Sequence, residues 1–271
     1  MSRRDMLAVI KLGGSAITIK DEIFTPNTRV IENIAEQLLE TWRDGWTLIL
    51  VHGGGSYGHP IAKKYRVMEG YKSPRSMLGY LETRMAMLKL NELLARTFVS
   101  KGLPVVPLHT ACISVAESGL ILNFYYTSIE TALRNNFIPL LEGDVVLDAE
   151  RGFSIVSGDQ VVYWLARKFK PKKVIFGIDV KGIYNRDPKK HKDAVLLKRI
   201  SIEELRRVSL GKAYGIDVTG GIQSKMEYII KIVEGGIPVY VGSLLDPRVL
   251  VQMVRGEEGQ YTIIWPAPRR E

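Results

Sequence analysis

Short apolar runs alternate with longer amphipathic ones along most of the chain. Leu7–Lys11, Thr47–Val51, Pro104–Leu108, Lys173–Ile178 and Ile237–Val241 are rich in aliphatic and β-branched residues. Runs of this length, bounded by glycine, proline or charge, predict strands buried on both faces. Between the first two, Val30, Ile31, Ile34, Ala35, Leu38 and Trp42 recur at helical spacing and Gly45 closes the segment. That pattern predicts an amphipathic helix with a glycine stop. Pro74 to Ser100 carries a longer helix with a break expected at Gly79, and Ser201-x-x-Glu204 reads as a capping box. Strands alternating with helices predict βαβ units on a mainly parallel sheet. The expected fold is α/β: a three-layer αβα sandwich with helices on both faces of the sheet.

The middle third breaks this rhythm. Ala111–Ser114, Leu120–Phe124, Val145–Leu147 and Phe153–Val156 read as short strands, with turn residues at Glu117–Gly119 and Asp148–Gly152. They predict a hairpin-rich insertion on the first lobe. A basic, proline-marked link at Phe169–Pro171 sets the expected boundary between two lobes, 1–169 and 170–271.

Composition narrows the partners. The 271 residues are 46% hydrophobic and 25% charged, an ordinary globular balance that rules out disorder and fibrous repeats. Cys112 is the single cysteine, so no disulfide forms within the chain. The apolar run near the start is too short for a signal peptide or a membrane span, and a cytosolic location is expected. The net charge of +9, from 38 Lys and Arg against 29 Asp and Glu, suits an anionic ligand. The densest basic runs, Arg167–Lys173 and Lys189–Lys192, lie near no zinc-finger, RNP or basic-heptad pattern. Phosphate-bearing small molecules are therefore the expected partners, not nucleic acid or membrane.

Four glycine-containing loops supply the chemistry. Lys11-Leu12-Gly13-Gly14-Ser15 follows the first strand, where paired glycines let backbone N–H groups approach an anion and Lys11 adds a full charge. His52-Gly53-Gly54-Gly55-Ser56-Tyr57-Gly58-His59 follows the second strand and opens a helix, a ready anion site, with His59 one turn inside. Its formal G-x-G-x-x-G lacks the following strand and acidic residue of a dinucleotide fold. Ser157-Gly158-Asp159-Gln160 precedes another helix; Asp159 is either a first-turn acid offsetting the helix dipole or an ion-pair partner that orients lysines. Asp217-Val218-Thr219-Gly220-Gly221-Ile222-Gln223-Ser224-Lys225 is the fourth, its two glycines opening a helix with Lys225 one turn inside. No P-loop, nucleophile-elbow or zinc-ligand spacing occurs, so no metal ligand is assigned on the chain. Two phosphate-bearing ligands held face to face would use such loops well, since phosphoryl transfer needs in-line positioning and surrounding cations.

In order and spacing, KLGGS (11–15), HGGGSYG (52–58), SGDQ (157–160), DVKGIY with NRDPK (179–189) and Thr219–Lys225 resemble the amino acid kinase superfamily over nearly the whole chain. Within it, VHGGGSYGHP (51–60), GDVVLD (143–148) and IVSGDQ (155–160) are similar to the isopentenyl phosphate kinase branch. The resemblance implies ATP and Mg²⁺ as cofactors, isopentenyl phosphate as acceptor, a place in an alternative mevalonate route, and a homodimer. It assigns Lys11, Leu12, Gly13, Gly14, Ser15 and Gly55 to the ATP phosphates, and Gly220, Gly221 and Lys225 to their β/γ end. Asp179, Gly182 and Tyr184 would line the nucleotide pocket. His59, with Gly54 and Gly158, would bind the acceptor phosphate. Lys20 would stabilise the transferring group, and Asp159 would orient Lys11 and Lys225. From the residues alone Lys20 is only a charge ending a strand. Met77, Tyr80, Met85 and Ile155 are candidates for an apolar acceptor pocket, and core packing explains them equally well. A fosfomycin-type or amino-acid kinase, and a nucleotide-binding sensor, are the alternatives.

Overall fold

The computed structural model describes residues 6–186, 188, 190–209 and 223–266. Strand β1 (Leu7–Leu12) leads through a short helix α1 (Gly14–Ile17) to α2 (Thr28–Arg43) and β2 (Thr47–His52). Helices α3 (Gly55–Lys64) and α4 (Pro74–Ser100), β3 (Val105–Pro107) and α5 (Thr110–Ile113) follow. Next come β4 (Ser114–Glu117), β5 (Leu120–Phe124), α6 (Thr127–Arg134), β6 (Ile138–Glu142), β7 (Asp144–Asp148) and β8 (Gly152–Val156). Helix α7 (Gly158–Phe169) leads to β9 (Lys173–Ile178), β10 (Arg199–Ser201) and α8 (Ile202–Ser209). The last described elements are α9 (Gln223–Glu234), β11 (Val239–Ser243), α10 (Val249–Arg255) and β12 (Tyr261–Trp265).

Among the described residues, eight strands form a central sheet in the order β10-β12-β11-β9-β1-β2-β6-β3. Every pair is parallel except β11 with β12. The period of two in a strand divides β1 between the faces. Ala8, Ile10 and Leu12 join α2, α4 and α10 in one core, while Leu7 and Val9 join α6, α7, α8 and α9 in the other. Lys11 shares parity with Leu7 and Val9, so its side chain lies on the α7 side. Strand β1 is central: the chain builds β2, β6 and β3 on one flank, then crosses through α7 to build β9 and β11 on the other. That is the switch point beside which ligands bind in open α/β sheets. Helix α7 ends at Phe169 and β9 starts at Lys173, and the sheet runs continuously across this link.

The middle third is a four-stranded sheet, β5-β4-β7-β8, as a hairpin-rich insertion predicts. Several local readings need correction. Ala111–Ile113 belongs to a helical turn, because Thr110 bonds the Glu142 carbonyl at 2.6 Å and Ser114 returns to the Thr110 carbonyl at 2.7 Å; the strand starts at Ser114. Helix α4 runs unbroken through Gly79, where a side chain would overlap Tyr65; the glycine serves helix packing, not a break. Strand β11 starts at Val239, two residues beyond Ile237. Lys20 lies in a turn rather than at a strand end, since Gly14–Ile17 is helical. Strand β6 was hidden by Pro139, a residue that argues against a central strand. The capping box at Ser201 and Glu204 is present, with Glu204 N–H donating to Ser201 Oγ at 3.2 Å and Ser201 N–H to the Glu204 carboxylate at 2.7 Å.

Candidate active site

Parallel strands end on the same side, and the ends of β9, β1, β2 and β6 are laced together by their first loop residues. Gly13 N–H donates to the Gly177 carbonyl at 2.8 Å, Gly53 N–H to Leu12 at 2.9 Å, and Gly143 N–H to His52 at 2.9 Å. A cleft of about 710 Å³ opens above them. Glycine is required where the loops meet. A Cβ on Gly14 would overlap Gly55 N and sit 2.7 Å from Gly55 Cα, while Gly55 itself has φ +48°. Helices α1, α3 and α7 begin at Gly14, Gly55 and Gly158, all lining the cleft. Some first-turn N–H groups are already capped, Ser56 by Thr18 Oγ1 at 2.9 Å and Gln160 by Ser157 Oγ at 3.1 Å; the remaining ones belong to three positive helix starts along the same cleft.

The central ionic group is Lys11, Asp159 and Lys225. Lys11 Nζ donates to Asp159 Oδ1 at 2.6 Å and Lys225 Nζ to Oδ2 at 3.2 Å. Burial depresses the Lys11 ammonium below the ordinary lysine value against the pull of Asp159, and Lys225 adds to the depression. Burial alone would raise the Asp159 carboxyl, but the two lysines outweigh it and hold the group below the usual carboxylate range. Asp159 is thus the orienting ion-pair partner that was one of its two readings. Two ammoniums share one carboxylate, which leaves a net positive charge facing the cleft.

His59 stands exposed on the cleft wall. Desolvation lowers its imidazole pKa, and the charges of Lys11 and Lys225 lower it further, so the ring is mainly neutral at pH 7 before any anion enters. Lys20 and Ser15 also line the cleft and are exposed; Gly14, Gly54 and Gly55 line it half-buried, and Gly13 and Gly158 line it buried. Leu12 does not reach it. Its side chain is fully buried in the core and only its carbonyl serves the loop. Asp179, Gly182 and Tyr184 lie past the end of β9 and do not line this cleft; Asp179 is exposed, and Ile183 N–H bonds Thr262 Oγ1 at 2.8 Å beside Gly182. Gly220 and Gly221 fall outside the described residues.

Of the four candidates for an apolar acceptor pocket, Ile155 lines the cleft, Tyr80 follows the core-packing alternative, and Met77 and Met85 face solvent. Met87, Val145, Val156 and Ala62 line the cleft together with Ile155. Tyr80 packs against Phe153 with ring centroids 5.2 Å apart, and Met77 and Met85 point outward on α4, 48% and 63% exposed. Thr83 and Met87, one helical turn apart, are the α4 residues that face the cleft. Buried polar residues in α4 were the available signal: Thr83 and Asn91 share that face.

Residues 6–243 match the amino acid kinase family. The isopentenyl phosphate kinase of Methanothermobacter thermautotrophicus is 34% identical over 95% of this chain and 98% of its own length. The chain belongs to the amino acid kinase family, in its isopentenyl phosphate kinase branch. The Arabidopsis thaliana isopentenyl phosphate kinase is 28% identical over 88% of this chain and 87% of that protein. A solved isopentenyl phosphate kinase superposes with a TM-score of 0.83 at 30% identity, covering 95% of this chain and 99% of that one. Carbamate kinase of Giardia lamblia, at 15% identity and a TM-score of 0.74, shares the fold. The family's fold is the α/β sandwich described above, with the mainly parallel sheet and helices on both faces.

Proposed function

We propose that this chain transfers the γ-phosphoryl group of ATP to isopentenyl phosphate, giving ADP and isopentenyl diphosphate. The observation that carries the reading is a cleft whose described lining combines lysines and an imidazole with apolar side chains such as Met87, Val145 and Ile155, and in which each carboxylate already meets a cationic side chain. Asp159 is held by two lysines, and Asp144 bonds Arg84 while burial and the neighbouring Glu142 push its carboxyl well above the ordinary range. An acceptor hydroxyl would want a carboxylate base, as in protein kinases. An acceptor phosphate, whose second pKa is about 6, arrives with an anionic oxygen and needs none. An amino-acid acceptor would want a carboxylate for its ammonium. The apolar side chains instead suit a short branched hydrocarbon.

In this reading an acceptor phosphate oxygen bonds to the γ-phosphorus as the bond to the β-phosphate bridging oxygen breaks. Lys11 and Lys225, aimed by Asp159, balance charge on the moving group, and the helix ends of α1 and α3 add N–H donors. His59 and the N–H groups near Gly54 and Gly158 hold the acceptor phosphate, and Lys20 reaches in from its turn. Asp179, Gly182, Tyr184, Gly220 and Gly221 remain proposed nucleotide contacts. Among the described residues no group of three His, Cys, Asp or Glu side chains is arranged to hold a metal. Magnesium would therefore be held mainly by nucleotide phosphate oxygens, as is common for this ion.

A role in a mevalonate-type isoprenoid route and a cytoplasmic location belong to the same proposal; among the described residues no helix is long and apolar enough to cross a membrane. So does a homodimer, for which exposed Met77, Leu81 and Met85 on α4 and Leu120 and Leu147 on the small sheet offer apolar surface. The test is ATP consumption with ³¹P detection across isopentenyl phosphate, fosfomycin, acetylglutamate, aspartate, carbamate and UMP. A new diphosphate signal with isopentenyl phosphate alone is expected. Turnover of another acceptor instead would overturn the substrate assignment.

A further inference from the structure

Beneath the glycine loops lies a buried polar chain that the transfer chemistry does not use. His52, at the end of β2, is fully buried, as are Asn91 of α4 and Glu142 at the end of β6. His52 Nδ1 lies 3.1 Å from the Gly53 carbonyl oxygen, and His52 Nε2 lies 3.1 Å from Asn91 Nδ2. The same Asn91 Nδ2 donates to Glu142 Oε2 at 2.8 Å. Glu142 is held in turn by Arg84 at 3.4 Å and His109 Nδ1 at 3.2 Å.

Hydrogen-bond bookkeeping assigns the protons. Burial and Glu142 push the neighbouring Asp144 carboxyl well above its ordinary range, so the proton of that pair rests on Asp144; Glu142 stays a carboxylate, which only accepts, and forces the Asn91 amide to present its NH₂. One hydrogen goes to Glu142 and the other points at His52 Nε2, which must then be the acceptor. The ring proton is left on Nδ1, where it donates to the Gly53 carbonyl. Asn91 Oδ1 is buried with no hydrogen-bond partner among the described residues, the cost of this orientation. Burial also lowers the His52 pKa. Glu142 opposes that shift, while Lys11 and His109 add to it, so the neutral ring persists.

The peptide plane carries the consequence to the cleft. Gly53 and Gly54 both lack a Cβ, so the peptide between them is free to rotate. A trans peptide is planar, and its C=O and N–H point in opposite directions. Holding the Gly53 carbonyl against a fully buried histidine turns the Gly54 N–H the other way, toward the cleft that both glycines line.

We propose that His52 is a positioning residue for phosphate binding, clamping the Gly53–Gly54 peptide so that the Gly54 N–H faces the acceptor phosphate, with Asn91 and Glu142 selecting the tautomer that does so. The identity of the phosphate rests on the function proposed above; the clamp does not. Asparagine places its NH₂ near the Nδ1 position, so His52→Asn keeps the donor and His52→Leu removes it. The first readout is long-range ¹H–¹⁵N NMR of His52, where a protonated Nδ1 and bare Nε2 are expected from pH 6 to 9. A protonated Nε2 would overturn the proposal. The second is the Gly54 amide during titration with inorganic phosphate, which needs no assumption about the natural acceptor. It should shift in the parent and in His52→Asn, and lose most of its response in His52→Leu. With isopentenyl phosphate, His52→Leu should raise the acceptor KM about 10-fold or more, change the ATP KM less than about threefold, and be largely rescued by His52→Asn. Equal KM values in both variants, or equal damage to ATP, would assign His52 to folding alone. If the leucine variant does not fold, Asn91→Leu, which frees the tautomer, should lower the Nδ1–H population and weaken the Gly54 response; an unchanged tautomer and response would refute the relay. Absence of turnover by the parent with a responsive Gly54 would reject the substrate and retain the clamp.

Discussion

Asp159→Asn removes one negative charge and keeps nearly the same shape. In the parent, the carboxylate sits 2.6 Å from Lys11 Nζ, with side chains 7% and 4% exposed, and 3.2 Å from the Lys225 ammonium, which is 19% exposed. Breaking a buried ion pair by deleting one partner typically costs about 3–5 kcal/mol. The amide oxygen still accepts from Lys11, and Lys11 can shed its proton, since burial already depresses its pKa. The loss should therefore fall at the low end, about 3 kcal/mol. For a chain of this size that lowers Tm by roughly 6–12 °C, at about 2–4 °C per kcal/mol. The unbalanced lysines should welcome an anion, so pyrophosphate or ATP should recover more Tm in the variant than in the parent; 100-fold saturation returns about 2.7 kcal/mol. Turnover should fall about 100-fold or more, because the ammoniums are no longer aimed at the transferring group. Calorimetry with and without pyrophosphate, beside steady-state kinetics, measures all three. A Tm within about 2 °C of the parent, or equal anion stabilisation in both proteins, would refute the electrostatic account of the triad.

Other expectations concern the acceptor end, acid stability and the glycine contacts. His59→Ala should raise the acceptor KM about 10- to 100-fold with ATP affinity intact, and His59→Gln should retain more activity. Because desolvation, and then the charges of two lysines, lower the His59 pKa, a phosphate dianion should raise it and draw in a proton on binding; acceptor affinity then weakens as pH rises through the bound-state value. Calorimetry in two buffers of different ionisation enthalpy detects this, and zero proton uptake would count against it. Asp148 accepts N–H bonds from Gly119, Glu150 and Arg151, which overcome its desolvation and hold it at about 2. Its stabilisation, of order 1–2 kcal/mol, is present above the unfolded value and lost as pH falls from about 4 toward 2. Asp148→Asn should flatten that acid limb of the unfolding curve, and an unchanged limb would show another group responsible. A Cβ at Gly158 would lie 2.7 Å from Lys11 Cε and 3.2 Å from the His52 carbonyl oxygen, so the buried lysine must shift off its partner, whereas one at Gly14 would meet only the backbone of the neighbouring glycine loop. Gly158→Ala should fold with turnover reduced about 10-fold, and Gly14→Ala should lose stability as well; melting curves and kcat separate the two cases.

The strand and helix alternation, the parallel sheet and the three glycine loops in described residues were all legible in local pattern. Hydrophobic period and glycine placement act within a few residues, so they survive reading one stretch at a time. Lys11, His59 and Asp159 could be picked out because a charge or imidazole beside a glycine-rich helix start has few other uses. Their arrangement was not legible. Which face Lys11 takes follows from its parity in β1, and its meeting with Asp159, 148 positions away, follows from strand order across the sheet. Met77, Tyr80 and Met85 stay ambiguous in the sequence because helical spacing cannot tell which side of α4 faces the cleft and which faces the core or solvent. Pro139 hid β6, and with it Glu142, whose role depends on Asn91 and His52 arriving from two other elements. Chain-local forces thus determine what this protein is made of and how its loops turn. Long-range packing decides which charges are buried together, which ring nitrogen carries a proton, and therefore where a phosphate is held.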